Sequence, residues 1–318
     1  MRNIWKDGMY GLIAGDALGV PVEFTSRDDR KRNPVVEMIS NGTHNQPAGT
    51  WSDDSSMAIA TLDSIVSKGG IDYDDIMTNF TEWCFNGKYT PFGDAFDIGI
   101  GTSRAIINYN KGAKPLDSGG KTEWDNGNGS LMRILPVCLY SVECKKSKKI
   151  SEEESINIIH DVSSLTHAHI RSKISCGIYY YLVKAIVECE GELISRLQYG
   201  MDNAVNYYEN EQGWKNELIN FNRIFKLSAF KETLEEDIKS SGYVVDTLEA
   251  AIWCLINTST YSEAVLNAVN LGDDTDTVGA VTGGLAGLFY GYENIPDLWK
   301  GSLQRGERIE EMLEAAAG

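Results

Sequence analysis

Asp273-Asp274-Thr275-Asp276-Thr277-Val278-Gly279-Ala280-Val281-Thr282-Gly283-Gly284-Leu285-Ala286-Gly287-Leu288-Phe289-Tyr290 runs from an acidic cluster straight into an apolar, glycine-punctuated segment. Gly279, Gly283, Gly284 and Gly287 recur at spacings of three and four, the period of one helix face. Each glycine costs a helix about 1 kcal/mol relative to alanine, so a packing gain must offset them, and close approach of a second helix is the simplest. Such packing would pin the acidic N-terminus of this helix in one position, as a metal site requires.

A second cluster, Ser52-Asp53-Asp54-Ser55, lies far upstream and also precedes an apolar helical run, Met57, Ile59, Ala60, Leu62 and Ile65. Either cluster alone reads as a helix cap, because Asp, Ser and Thr oxygens accept the unpaired N–H groups of a first turn and their charge complements the dipole. A cap uses one oxygen, however, and several carboxylates in one turn repel each other unless a cation sits among them. Together the two clusters read as a split, all-oxygen site. Without His or Cys among the ligands, it suits Mg²⁺ or Mn²⁺ rather than Zn²⁺ or copper.

Helical spacing recurs through most of the chain. Trp5, Met9, Leu12 and Ile13 share one face, and Ile76, Met77, Phe80, Trp83 and Cys84 another. Ser151 and Glu154 have the capping-box form ahead of Ile156, Ile158 and Ile159. Thr166 or His167 is expected to end that helix, and the next runs from about Ile170 to Glu188. Later helices are expected at Asp246 to Ile256, Tyr261 to Asn270, Asp276 to Tyr290 and Arg305 to Ala317. The fold class is all-α. No Pro/Ser-rich or Gly/Ser-rich linker divides the 318 residues, so residues 1–318 read as a single compact domain. The polar stretch from Gln198 to Ser241 reads as surface helices and loops.

The net charge of −17 excludes general nucleic-acid or anionic-membrane binding, which needs a basic footprint. An anionic substrate would have to be held locally, by a cation, helix N-termini or a few basic groups. Six cysteines without a Cys-x-x-Cys pair read as reduced thiols in a cytoplasmic protein. The start of the chain lacks a signal-peptide core, and Val278 to Tyr290 is shorter than a membrane span. The expected state is a monomer.

Seven segments in order resemble the ADP-ribosylglycohydrolase family, which includes the dinitrogenase reductase-activating glycohydrolase and the eukaryotic ADP-ribosyl-acceptor hydrolases. They are Gly11 to Glu23, Gly49 to Ser55, Phe96-Asp97-Ile98-Gly99, Gly127 to Arg133, Leu165-Thr166-His167, Gly242-Tyr243-Val244 and Gly272 to Thr277. The resemblance implies an all-α fold with a binuclear Mg²⁺ or Mn²⁺ centre at helix N-termini that hydrolyses the bond between ADP-ribose and an acceptor. By position, its ligands would be Ser52, Asp53, Asp54, Asp274, Asp276 and Thr277. Many relatives have Thr at the place of Ser52, which keeps a hydroxyl, and Gly at the place of Asp273, whose carboxylate gains no role from the resemblance.

The remaining motifs carry two readings each. Glu23, after the turn Gly19-Val20-Pro21-Val22, matches by the resemblance a gating or catalytic glutamate of the family, or is a surface residue. Asp97 resembles an acidic loop residue near the scissile bond in the family's bacterial members, which implies a catalytic carboxylate, or is an N-cap for the helix carrying Ala105, Ile106 and Ile107. Gly127-Asn128-Gly129-Ser130 is a glycine-rich loop opening a helix, able to cradle a phosphate, or a plain turn. The resemblance makes Gly127, Asn128, Gly129, Ser130 and Met132 candidates for lining the ADP-ribose cleft. Arg133 supplies compensating charge or pairs with an acidic neighbour. His167 bonds the distal ribose or a phosphate, or is structural. Tyr243 stacks adenine or anchors the core.

The expected reaction is metal-dependent release of ADP-ribose from an acceptor, arginine on a protein or small molecule being the default. A catalytically silent ADP-ribose-binding protein and a Mg²⁺-dependent nucleotide phosphohydrolase are the alternatives.

Overall fold

The computed structural model describes residues 3–211 and 213–317. Sixteen α-helices appear among them. The first eight are α1 (Ile4–Gly19), α2 (Arg27–Arg32), α3 (Asp53–Lys68), α4 (Tyr73–Asn86), α5 (Ile100–Asn110), α6 (Leu135–Lys146), α7 (Glu152–Ser164) and α8 (Ile170–Glu188). The rest are α9 (Leu193–Asn210), α10 (Lys215–Leu218), α11 (Leu227–Phe230), α12 (Val244–Ile256), α13 (Tyr261–Asn270), α14 (Thr275–Tyr290), α15 (Asp297–Ser302) and α16 (Gly306–Ala317). No strand forms among the described residues, only isolated bridges such as Gly120–His167 and Gly127–Tyr243. The all-α expectation holds.

The glycine-rich helix does what its spacing predicts. α14 packs against α1 with backbone facing backbone. A Cβ on Gly11 would enter the Gly283 carbonyl, one on Gly15 the Gly279 carbonyl, and one on Gly287 the Asp7 carbonyl. Gly19 lies against the Asp276 backbone in the same way. Tyr261 donates to the Gly11 carbonyl at 2.8 Å and Thr275 to the Gly19 carbonyl at 2.8 Å, holding the register. The first turn of α14 is thereby fixed against the last turn of α1. That places Asp276 beside Asp16.

Around this pair, α3, α6, α8, α12 and α13 complete a core that reaches from Trp5 to Leu313. Helix ends follow the sequence signals closely. Ser151 and Glu154 form a true capping box, and α7 stops at Ser164, just short of the expected Thr166 or His167. Gly69 and Gly87 end α3 and α4 in the left-handed conformation. The polar stretch after Gln198 is not all surface. It includes the second half of α9, and Tyr208, Leu218, Phe221, Ile224, Leu227 and Phe230 bury their side chains there. The six cysteines are free thiols. Among the described residues, no helix is long and apolar enough to cross a membrane.

Candidate functional site

Each acidic cluster is delivered by a different local device. Ser52 is the N-cap of α3, its hydroxyl accepting from the Asp54 N–H at 3.3 Å. The cap reading is therefore correct for Ser52, and it leaves Asp53 and Asp54 free to face inward. Asp274 occupies the N-cap position of α14 but makes no side-chain cap. Its Oδ2 instead accepts from Asn128 Nδ2 at 2.8 Å. Capping does not account for the second cluster.

The clusters meet. Thr277 Oγ1 donates to Asp54 Oδ2 at 3.3 Å, and Ser52 Oγ reaches the same oxygen at 3.2 Å. Oxygens of Asp16, Asp54 and Asp276 all lie within 4.8 Å of one another, as do those of Glu23, Asp274 and Asp276. Asp54 Oδ1, Asp274 Oδ1 and Asp276 Oδ2 are buried without a hydrogen-bond partner among the described residues. Burial pushes Asp54 and Asp276 well above the usual carboxylate range, and the charges of their neighbours push them further. Burial raises Asp53 in the same way, helped by Asp97, Asp16 and Glu23. Orphaned buried carboxylate oxygens are costly, and hard divalent cations would satisfy them. The residues present fit a metal.

Asp16 was not among the expected ligands. It is fully buried at the end of α1 and accepts from the Ser52 N–H at 2.9 Å, the Ser55 N–H at 3.0 Å and the Ser55 hydroxyl at 2.5 Å. It holds the first turn of α3 in place. Burial raises it to about 6 against the pull of these bonds. A lone carboxylate on an otherwise apolar helix face was the available signal.

Pro21 ends α1 through a short 3₁₀ turn that turns Glu23 inward, leaving it 4 % exposed. The surface reading of Glu23 is thus excluded. Its Oε2 pairs with His44 Nε2 at 2.5 Å, and burial raises it to about 8 despite that bond. His44 comes from a polar turn whose Thr43 hydroxyl bonds the Glu23 carbonyl at 2.6 Å, and no periodicity marked it in advance. Asp97 joins Glu23 and His44 in a third cluster. It is not a cap, since Gly99 holds the N-cap position of α5 and Asp97 has a left-handed φ of 56°.

Asp273 is exposed and outside the carboxylate clusters. Its φ of 59° explains its place: the turn before α14 needs a left-handed residue, which glycine or a short Asp supplies. Its backbone pairs with Phe24 and Thr25, at 2.7 and 2.8 Å, tying the Glu23 turn to Asp274.

Beside these clusters opens a cleft of about 260 Å³, lined by Glu23, Asp53, Asp97, Asp274 and Thr277 together with Gly127, Asn128, Gly129, Met132 and His167. The expectation that Gly127 to Ser130 opens a helix is wrong. α6 begins only at Leu135, with Pro136 in its first turn, and the Asn128 N–H is spent on the Gly242 carbonyl. Ser130 turns its hydroxyl into the core, toward Ser163 and Cys176. Arg133 is fully buried and, among the described residues, pairs with no carboxylate; it bonds the Val162 carbonyl and Thr166 Oγ1. His167 is 5 % exposed and reaches the cleft wall. Tyr243 lines an adjoining hollow with Trp124 and Arg171, whose guanidinium lies 5.8 Å from the Tyr243 ring centre.

The sequence model of the ADP-ribosylglycohydrolase family matches residues 3–318. An ADP-ribosylarginine hydrolase, Tri1, of Serratia proteamaculans (strain 568) is 33% identical over 311 residues, covering 97% of this chain and 77% of that protein. The ADP-ribosyl-dinitrogen reductase glycohydrolase of Rhodospirillum rubrum is 28% identical, covering 92% and 87%. A solved structure, an ADP-ribosylglycohydrolase-related protein complex, superposes with a TM-score of 0.79 at 27% identity over 99% of this chain and 98% of that one. With a match over nearly its whole length, the chain belongs to the ADP-ribosylglycohydrolase family and is a glycohydrolase.

Proposed function

We propose that this chain releases ADP-ribose from arginine-linked acceptors, on proteins or small molecules, with two Mg²⁺ or Mn²⁺ ions as cofactors. One observation carries the reading: Asp54, Asp274 and Asp276 each keep a buried carboxylate oxygen with no partner among the described residues, in two carboxylate clusters that share Asp276, beside a cleft that Asp274 lines. The cleft lining contributes four carboxylates and, among the described residues, no Lys or Arg. An anionic diphosphate can enter such a site only when cations offset that charge. Ser52, Asp53, Asp54, Asp274, Asp276 and Thr277 would hold them. When bound, the ions supply Lewis acidity and positive charge where the ribose hydroxyls sit.

The chain's own groups do the rest. Glu23 and Asp97 face the cleft from one cluster, placed to orient or deprotonate the attacking water and to stabilise positive charge on the ribose. His44 holds the Glu23 carboxyl group in position. Gly127, Asn128, Gly129, Met132 and His167 line the same cleft and would contact the ADP-ribose. Tyr243 serves the base end, and Ser130 acts from behind by fixing the loop. The relatives named for arginine-linked and protein-borne ADP-ribose support the acceptor class. The continuous core supports a single domain over residues 1–318, read here as a cytoplasmic monomer.

The test is a panel of arginine-, serine- and base-linked ADP-ribose substrates, with and without Mg²⁺ or Mn²⁺. Intact ADP-ribose from the arginine-linked member is the expected product. AMP or phosphate would indicate a phosphohydrolase, and tight ADP-ribose binding without release a silent binder.

A further inference from the structure

Arg133 is the one fully buried arginine side chain among the largest buried residues, and its placement is unusual for a charge. Nε and Nη1 have no partner, and the guanidinium sits 4.6 Å from the centre of the Phe80 ring. Among the described residues no carboxylate pairs with it. Its Nη2 donates to Thr166 Oγ1 at 2.8 Å and to the Val162 carbonyl at 3.1 Å.

Thr166 is itself buried, and its Oγ1 lies 2.9 Å from His167 Nδ1. The direction of this second bond follows from the first. A guanidinium only donates, so Thr166 Oγ1 accepts from Arg133. The Thr166 hydroxyl keeps one hydrogen, and among the described residues His167 Nδ1 is the one acceptor recorded for it. A buried hydroxyl hydrogen left unpaired is unfavourable, so Nδ1 accepts and carries no proton. Burial, reinforced by the Arg133 charge, pushes the ring down to about 3, so it is neutral at physiological pH. The single ring proton is then on Nε2.

Nε2 points at the cleft wall. A Cβ on Gly101 would lie 3.0 Å from it, one on Gly127 3.4 Å, and one on Gly129 2.8 Å from the adjacent Cε1. Gly101, Gly127 and Gly129 line the cleft together with His167, and their missing side chains leave room for the Nε2–Cε1 edge of the ring on that side.

We infer that Arg133, acting through the Thr166 hydroxyl, locks His167 in the Nε2–H tautomer and so makes it an obligate hydrogen-bond donor to ADP-ribose in the cleft. Arg133 and Thr166 are positioning residues. The inference rests on the cleft being the ADP-ribose site, and it accounts for a buried, unpaired charge that packing alone does not require.

The experiment is ¹⁵N spectroscopy of the histidine-labelled full chain, with His167→Gln assigning the ring, alongside ADP-ribose titration. The wild type is expected to show a protonated Nε2 and an unprotonated Nδ1. Thr166→Val is expected to lose this preference and weaken ADP-ribose binding about tenfold, the size of one good hydrogen bond. Thr166→Ser is expected to restore both, and Arg133→Met to act in the direction of Thr166→Val. A protonated Nδ1 in the wild type, or a Thr166→Val chain with the same ring shifts, overturns the relay. The tautomer is read without ligand. Failure to bind ADP-ribose would therefore count against the assigned function while the ring shifts still decide the relay.

Discussion

The Thr277 hydroxyl donates to the Asp54 carboxylate at 3.3 Å, joining the first turns of two helices separated by 223 residues of chain. Asp54 nevertheless keeps its other oxygen unpaired and buried. The polypeptide has brought the acidic turns together without neutralising them, which is the arrangement a cation completes.

That arrangement fixes the sign of a stability change. Asp54→Asn and Asp276→Asn each remove one charge from a crowded, desolvated group. Both are expected to lower turnover by roughly a hundredfold or more. In chelator, both are expected to melt at or above the wild type, because repulsion falls. A purely structural role for these aspartates would instead lower the melting temperature and leave metal-dependent activity intact. Activity assays paired with thermal denaturation separate the two.

Packing of α1 on α14 gives a second test. Gly11→Ala would drive a methyl group into the Gly283 carbonyl, and a loss of about 3 kcal/mol is expected from such overpacking. Gly301→Ala is the control, since a Cβ there meets nothing within 4 Å. It is expected to be neutral or slightly stabilising in its helix. Urea denaturation of both variants checks the pair, and equal stability would contradict backbone-to-backbone packing.

Glu23 and Asp97 can be told apart kinetically. Glu23→Gln and Asp97→Asn, assayed at saturating metal, are each expected to retain the helical circular-dichroism spectrum. The one that moves the proton in the rate-limiting step is expected to lower kcat by about a hundredfold or more, and its partner mainly to raise KM. Unchanged kcat in both would remove this cluster from the chemistry.

The pH dependence of stability has a defined sign at His160. This ring is buried, bonds Tyr208 Oη at 2.8 Å through Nε2, and stacks on Trp214 with centroids 4.5 Å apart. Burial, with the nearby Lys173 charge, pushes it from 6.5 to about 3. Between those values the unfolded chain binds a proton that the folded chain refuses. Stability therefore falls as pH falls through that window, by about 1.4 kcal/mol per pH unit for this group. His160→Phe is expected to flatten the profile by that slope, whatever its effect on absolute stability. An unchanged slope in denaturation measured from pH 7 to pH 4 would show that the ring titrates normally.

Much of this could be read from the chain before its structure. Glycine spacing in α14 announced the close helix pair, and the clusters at Ser52 and Asp273 announced the two acidic turns that meet, because both signals are local. Asp16 was half-visible as a carboxylate in an apolar run, but its role depends on where α3 begins in space. His44 was invisible: it sits in a short polar turn, and its bond to Glu23 is a tertiary accident of the Pro21 bend. Arg133 was misread because a sequence gives the charge and not its depth. The loop from Gly127 to Ser130 was misread for the opposite reason. Its glycines make room for His167 rather than opening a helix.

The most direct test of the account is calorimetric titration of the metal-stripped chain with Mn²⁺. Two saturable sites per chain are predicted, with at least one abolished in Asp54→Asn and in Asp276→Asn and both competed by Mg²⁺. No binding to the wild type, or binding that both variants leave unchanged, would contradict the claim that these two distant turns together form a divalent-metal centre.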